Sequence, residues 1–233
     1  MRTILCFMAA LLLGLCACNK DKYYQDSGTH DPAFKGTTMG YLDAVPFYFD
    51  SVATIVRLAG MEEVFNRDTL TFFAPTDRSV LRLVHSLNYE LYRLGYDTVK
   101  ALSDVPQEIW FKYLQRYMFH GRNELKDYPQ IDYNLLNTYP GQGYLSWNGT
   151  PMNIGVVYHD DNGVKYVGYR QLSIACIPDP ARPRENWIID YIASCNITTY
   201  NGVVHTLTDD HYYFGFQADL FIADMIDVME NGG

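Results

Sequence analysis

The sequence has little positive charge and none of the common catalytic motifs. Its 18 lysines and arginines are outnumbered by 27 acidic residues, for a net charge of −9 at pH 7, whereas a protein that binds nucleic-acid phosphates needs a basic face. The chain also lacks His-Glu-x-x-His, Gly-x-Ser-x-Gly, a glycine-rich phosphate loop and paired Cys-x-x-Cys motifs. We therefore expect no nucleic-acid partner, no catalytic residue, no metal and no cofactor.

Long hydrophobic runs are also missing, except for one at the N-terminus. Residues 4–15 are apolar, but a helix that crosses a bilayer needs about 20 such residues, so this run is typical of a cleaved signal. Small Ala17 directly precedes Cys18, as in a lipobox, although an ordinary secretory signal in which Cys18 is incidental is the alternative. We predict a signal over residues 1–17 and lipidation of Cys18, whose two or three acyl chains would anchor the protein stably.

The predicted anchor sets the expected location and domain organisation. A lipidated Cys18 indicates an outer-membrane lipoprotein that faces the periplasm or the cell surface. Residues 18–37 are polar and lack apolar periodicity, which is typical of a flexible tether. The rest of the chain is long enough for one sizeable core, and we predict one domain over 38–216 followed by an amphipathic helix over 217–233.

Cysteine is scarce beyond the signal, where only Cys176 and Cys195 remain. An exported compartment permits a disulfide between them. A simple hairpin centred near Arg182 would instead place Cys176 opposite about Asp190, and bridging needs Cα atoms within about 7 Å. A disulfide and a pair of small buried apolar residues are therefore both open.

Tyrosine and phenylalanine are abundant, with 20 and 12 copies. We favour the interpretation that they fill strands and helix faces, with sugar-stacking surfaces as the alternative. Apolar periodicity predicts helices over 46–60, from Thr76 or Asp77 to Leu87, and over 109–119. A short buried strand is predicted over 70–74, and mostly strands after residue 134, with a hairpin turn at Asn162-Gly163.

Two short motifs lie at opposite ends of the predicted domain. Residues 71–77 read Thr-Phe-Phe-Ala-Pro-Thr-Asp, and residues 201–207 read Asn-Gly-Val-Val-His-Thr-Leu. This pair, with a predicted helix that ends in a histidine and several strands between, resembles the fasciclin (FAS1) family. That family's blocks read roughly T-V/F-F-A-P-T-D and N-G-V/I-V/I-H. The motif residues here are Ala74, Pro75, Thr76, Asp77, His120, Asn201, Gly202 and His205.

The resemblance covers about residues 38–214 and implies an α+β fold. The expected architecture is a β-sandwich-like wedge of about seven strands with several helices packed on it, with insertions around 88–103 and 178–187. It implies a role in adhesion or recognition outside the cell, without a catalytic site. The chain departs from the family where Phe119 replaces a frequent Tyr and Thr208 replaces a frequent Asp.

The motif residues also have structural interpretations that need no ligand. Asp77 is expected to cap a helix or to be an acid in its first turn, and Asn201-Gly202 to form a tight turn. His205 is expected to be buried and hydrogen-bonded, and His120 to lie at a helix C-terminus, where the dipole favours it. Residues 159–161 and 209–211 are His/Asp clusters that we interpret as polar turns, with a Ca²⁺ or Zn²⁺ site as the alternative.

Two function hypotheses follow. The first is a non-enzymatic, lipid-anchored recognition module that contacts another envelope protein or a glycan. The alternative is a structural accessory subunit of an outer-membrane nutrient-uptake complex. Surface aromatics clustered in a groove would favour a glycan, and a large flat apolar patch would favour a protein partner.

Overall fold

A computed structural model describes residues 32–208 and 212–231. The predicted signal, Cys18, most of the tether and the 209–211 cluster lie outside this part of the chain. The described helices are α1 (Thr38–Ala44), α2 (Pro46–Leu58), α3 (Glu62–Arg67), α4 (Asp77–Leu94), α5 (Gln107–Leu114) and α6 (Ala218–Asn231). Single 3₁₀ turns occupy Leu102–Asp104, Gln115–Tyr117 and Leu125–Asp127. Among these elements no helix combines the length and apolar character needed to cross a membrane.

The strands join into one mixed sheet. They are β1 (Leu70–Ala74), β2 (Met118–His120), β3 (Gln130–Ile131), β4 (Gln142–Leu145), β5 (Pro151–Tyr158), β6 (Arg170–Cys176), β7 (Ile188–Thr198) and β8 (Gly202–Leu207). Seven follow the order β2-β1-β8-β7-β6-β5-β3, and β4 pairs with β5 off that path. The pairs β1–β8 and β3–β5 are parallel and the others antiparallel. The predicted α+β class, with about seven strands and several helices packed on them, is confirmed.

The predicted helices form where local chemistry favours them. Pro46 opens α2, because its missing N–H would be unpaired there in any case, and Gly60 follows the helix at a φ of 70°. Helix α4 runs past the predicted end at Leu87 to Leu94, with Leu91 still buried and Gly95 left-handed at the C-cap. The predicted insertion at 88–103 is therefore partly helical.

The prediction of one helix over 109–119 is wrong. Helix α5 ends at Leu114, a 3₁₀ turn follows, and Met118–His120 pair with β1 as β2. Met118 lies opposite Phe72, so sheet pairing in the core overrides the helical spacing. His120 is consequently an exposed strand residue whose ring lies 4.0 Å from that of Trp147, and the predicted helix C-terminal position is corrected.

The Asn162-Gly163 turn is confirmed, but it lies inside a longer loop. The two residues have φ values of 48° and 78°, and the flanking Asp161 and Val164 exchange two backbone hydrogen bonds of 3.1 and 2.9 Å. Strand β5 has already ended at Tyr158 and β6 begins only at Arg170. The loop 159–169 therefore separates the turn from the two strands that it connects.

The folded region begins earlier than the predicted boundary at residue 38. The Thr198 N–H donates to the Pro32 carbonyl, and the Phe34 N–H donates to the Thr198 carbonyl, both at 2.8 Å. Residues 32–36 therefore pair with the C-terminal end of β7 at Thr198 and are part of the folded region.

The two cysteines outside the signal are not joined by a disulfide. Cys176 lies opposite Ile188 at the start of β7, whereas Cys195 lies near the far end of that strand. The disulfide alternative is therefore not realised, because the hairpin register separates the two residues. Cys176 is buried and Cys195 half-buried.

Candidate functional site

The two motifs meet near one end of the sheet, in the neighbouring strands β1 and β8. Strand β1 runs parallel to β8, with Phe72 opposite Val204 and Phe73 opposite His205. Every residue of β1 is buried. The two motifs therefore pack against each other, and the motif residues can be placed one by one.

Asn201 is engaged on both sides of its amide. Its Oδ1 accepts a 2.8 Å hydrogen bond from the Thr38 N–H, and its Nδ2 donates to the carbonyls of Phe65 and Asp68 at 3.1 and 2.9 Å. At the next position, a Cβ on Gly202 would collide with the Leu70 carbonyl of β1. The Asn201 side chain thus holds α1 and the end of α3 to the turn that enters β8.

His205 is completely buried, and both ring nitrogens are engaged. The Asn196 N–H donates to Nδ1 at 3.2 Å, so the ring proton is on Nε2 and donates to the Asn123 carbonyl at 3.0 Å. Burial lowers the pKa of this histidine to about 4, because a charged ring would lose its hydration. His205 is therefore a neutral core residue, as predicted.

Asp77 is the first residue of α4, which confirms the first-turn interpretation. Its Oδ1 accepts hydrogen bonds from the N–H groups of Ser51 and Val52 in α2 at 2.9 and 3.3 Å. Burial raises the pKa of this carboxyl above its usual value. The preceding Ala74, Pro75 and Thr76 are buried, and Thr76 occupies the N-cap without a side-chain capping bond. The first motif therefore joins β1, α2 and α4.

A cleft of ≈ 460 Å³ opens at the opposite end of the sheet, beside β3 and β5. Because β3 and β5 are parallel, their carboxyl ends lie at one edge, where the loops after Ile131 and Tyr158 form its walls. Four tyrosines line this cavity, which we call the tyrosine cleft: Tyr133, Tyr158, Tyr166 and Tyr191.

Internal contacts fix three of these rings. The Tyr133 hydroxyl donates to Ser173 Oγ at 2.9 Å, and the Arg170 guanidinium lies 3.6 Å from the centre of the Tyr158 ring. The Tyr166 hydroxyl donates to Asp132 Oδ2 at 2.9 Å, and this bond to a carboxylate raises the pKa of Tyr166 to about 12. These three rings therefore stand in set orientations.

Polar groups alternate with the rings. Asp132 Oδ1 accepts a hydrogen bond from the Asn134 N–H at 2.9 Å, and Asp160 Oδ1 accepts one from the Tyr166 N–H at 3.0 Å. A carboxylate oxygen can accept more than one hydrogen bond, so both acids retain acceptor capacity. Asn134 and Lys165 are exposed at the cleft and add donors. The cleft therefore presents aromatic faces together with donors and acceptors.

The 159–161 cluster belongs to this cleft as a polar turn. His159 contacts Gln171 Oε1 through Nε2 at 3.0 Å and stacks on Tyr169 with ring centres 4.0 Å apart. Asp161 closes the Asn162-Gly163 turn. Over residues 32–208 and 212–231 the structure contains no group of three His, Cys, Asp or Glu side chains arranged to hold a metal ion.

The cleft tyrosines had no sequence signature. They come from the loop after β3, the end of β5, the loop 159–169 and β7, and so share no spacing. The surplus of tyrosine and the polar hairpin at Asn162-Gly163 were the available signals. The surplus alone favoured core packing, and only the tertiary fold brings these rings together.

Comparisons with known proteins find similarity only among solved structures. No family model matches the chain, and no curated protein matches it. Fifteen chains of solved structures match. Among them is a FAS1 domain pair from the insect cell adhesion molecule fasciclin I, with 12% sequence identity and a TM-score of 0.47 over 74% of this chain. The match spans about half of that structure, 49% of its length.

Proposed function

We propose that this protein is a non-enzymatic recognition module of the fasciclin type, held in the cell envelope by lipid on Cys18. The observation that carries the proposal is a contrast between two groups of residues. Asp77, Asn201 and His205 of the motifs make their hydrogen bonds inside the fold, whereas fixed tyrosines line an open cleft. The residues that line the cleft include no serine, threonine or cysteine, so the alcohol and thiol side chains that most often act as nucleophiles are not among them. Oriented rings with polar groups between them suit binding more than bond cleavage.

Anchoring is tested by two cysteine variants of the full-length chain. Cys18→Ser should leave the protein uncleaved or release it from the membrane fraction, because the acylated residue is lost. Cys16→Ser is the matched control and should still give a membrane-bound mature form. If only Cys16→Ser abolishes lipidation, the acylated residue is Cys16 and the assignment of Cys18 is wrong.

Recognition is tested by purifying the intact lipidated protein from membranes in mild detergent. A recognition module should retain an envelope protein or glycan reproducibly, and mass spectrometry with sugar analysis would identify it. If the anchored, folded protein retains neither, the proposed function is wrong.

A structural accessory subunit is the second candidate, and exposed apolar side chains on the helical side favour it. Leu81, Tyr89 and Tyr92 of α4 are 54%, 67% and 79% exposed, and Phe47 of α2 is 82% exposed. An uncovered apolar surface is typical of a protein interface. Under this candidate, Leu81→Asp should reduce co-purification of an envelope protein, whereas variants in the tyrosine cleft should not.

A further inference from the structure

We propose that the tyrosine cleft binds a neutral polysaccharide, with Tyr166 as the central aromatic contact. This inference rests on the proposed recognition function and names the ligand class for it. The proposal rests on Tyr166, whose backbone N–H and hydroxyl are both hydrogen-bonded, and on the carboxylate, amide and amine groups that line the cleft with it. A sugar ring offers C–H groups on its faces and hydroxyls at its edge, and such a lining complements both.

Tyr166 is held before any ligand arrives. Its backbone has a φ of 64°, which is uncommon for a residue with a large side chain. Asp160 accepts its N–H, Asp132 accepts its hydroxyl proton, and Tyr139 packs edge-on against its ring at 5.4 Å. A ring fixed in this way loses little conformational freedom on binding, which favours affinity.

The charges of the cleft exclude anionic ligands. Asp132, Asp160 and Lys165 all line the cleft, so its carboxylates outnumber its lysine, and the whole chain carries a net charge of −9. A phosphate, sulfate or uronate would approach more negative than positive charge and be repelled. A neutral sugar has no such penalty, because its hydroxyls donate to carboxylates and accept from the lysine and the asparagine.

The covered edge of the sheet disfavours an extended peptide. The outer side of β3 is already paired: the Asp132 N–H donates to the Tyr139 carbonyl at 3.0 Å, and the Gly141 N–H donates to the Gln130 carbonyl at 3.2 Å. A peptide that adds a strand needs these groups free. The cleft volume of ≈ 460 Å³ lies within the range of ordinary ligand sites.

The test is native affinity electrophoresis of the full-length chain in detergent, with polysaccharides cast into the gel. The neutral probes are dextran, laminarin, yeast mannan and arabinan, and the anionic probes are polygalacturonate and chondroitin sulfate. We expect at least one neutral polysaccharide to retard the protein and neither anionic one to do so. Retardation by none of the neutral probes, or only by an anionic one, overturns the proposal.

Variants then locate the site. Tyr166→Ala should weaken the retarding interaction about tenfold, and Tyr92→Ala, which removes an exposed tyrosine from α4, should leave it unchanged. The double variant of Asn134→Ala and Lys165→Ala guards against misfolding, because within residues 32–208 and 212–231 neither side chain donates a hydrogen bond. It should weaken binding by about the same factor with an unchanged melting temperature. Undiminished binding in both cleft variants overturns the site.

Failure of this inference is distinguishable from failure of the proposed function. If the intact protein and the cleft variants retain an envelope protein from membranes and no neutral polysaccharide binds, the recognition function stands and the glycan assignment is wrong. If the intact protein retains neither protein nor glycan from membranes, the function itself is wrong.

Discussion

The two ends of the sheet use polar residues in opposite ways. At the β1–β8 pair, Asn201 and His205 spend their hydrogen-bonding groups on neighbouring backbone, and the space around them is filled by core side chains. At the tyrosine cleft, Tyr133 and Tyr166 use one hydrogen bond each to hold a ring beside open space. Motif residues at the first end therefore hold the fold together, and residues outside the motifs build the surface that can meet a ligand.

The largest effect that tests this comparison is the loss of a core ring from the first motif. Phe73 is fully buried and lies 5.4 Å from the ring of Phe119, so Phe73→Ala should lower the free energy of unfolding by about 3–5 kcal/mol. Phe47→Ala is the matched control: its side chain is 82% exposed, and its effect should stay within about 0.5 kcal/mol. Urea unfolding would show both. A small loss of unfolding free energy in Phe73→Ala would mean that β1 is not a core strand.

A pH series tests the buried histidine. The pKa of His205 is about 4 in the folded protein, against 6.5 for an ordinary histidine. Between these values the unfolded chain binds a proton that the folded protein does not, so stability falls as pH falls from about 6.5 to about 4. The total loss from this group is roughly 3 kcal/mol.

The pH effect is isolated by comparison with a variant that lacks the titrating ring. In His205→Ala, the difference in unfolding free energy from the native chain should shrink as pH falls through this window. Parallel pH curves for the two proteins would show that the His205 imidazole is not buried in its neutral form.

A smaller effect is expected at the cleft. Tyr166→Phe keeps the ring and removes its hydrogen bond to Asp132, so the free energy of unfolding should fall by much less than in Phe73→Ala, because one hydrogen bond at a solvent-accessible site contributes little. The same unfolding assay measures it. A loss as large as that of Phe73→Ala would show that the loop 159–169 is a structural support like the β1–β8 pair, and the contrast between the two ends would disappear.

Sequence was informative wherever local chemistry decides the structure. Pro46 opens α2, and the Asn162-Gly163 turn accommodates positive φ, because these residue types favour those conformations with few demands on their surroundings. The end of α5 was not predictable, since Met118 leaves the helical pattern only because β1 lies beside it. The motif resemblance succeeded for the fold because its residues pack β1 against β8.

The candidate site was the least predictable part. Its tyrosines come from four separate segments, and a surplus of tyrosine in a sequence does not indicate which rings will meet at one surface. The loop 159–161 was interpreted correctly as a polar turn, but its partner across the cleft, the segment after β3, carried no signal. Parallel pairing of β3 with β5, which brings the two together, is a long-range contact that no local pattern encodes.

The most direct test of the central claim is to measure melting temperature and polysaccharide binding on the same two variants, His205→Ala and Tyr166→Ala. The account predicts that His205→Ala melts at a lower temperature yet binds normally at a temperature where it remains folded, because its ring lies inside the core. It predicts that Tyr166→Ala loses binding with little change in melting temperature. Lost binding with unchanged stability in His205→Ala would contradict the account and would place the functional surface around Asn201 and His205.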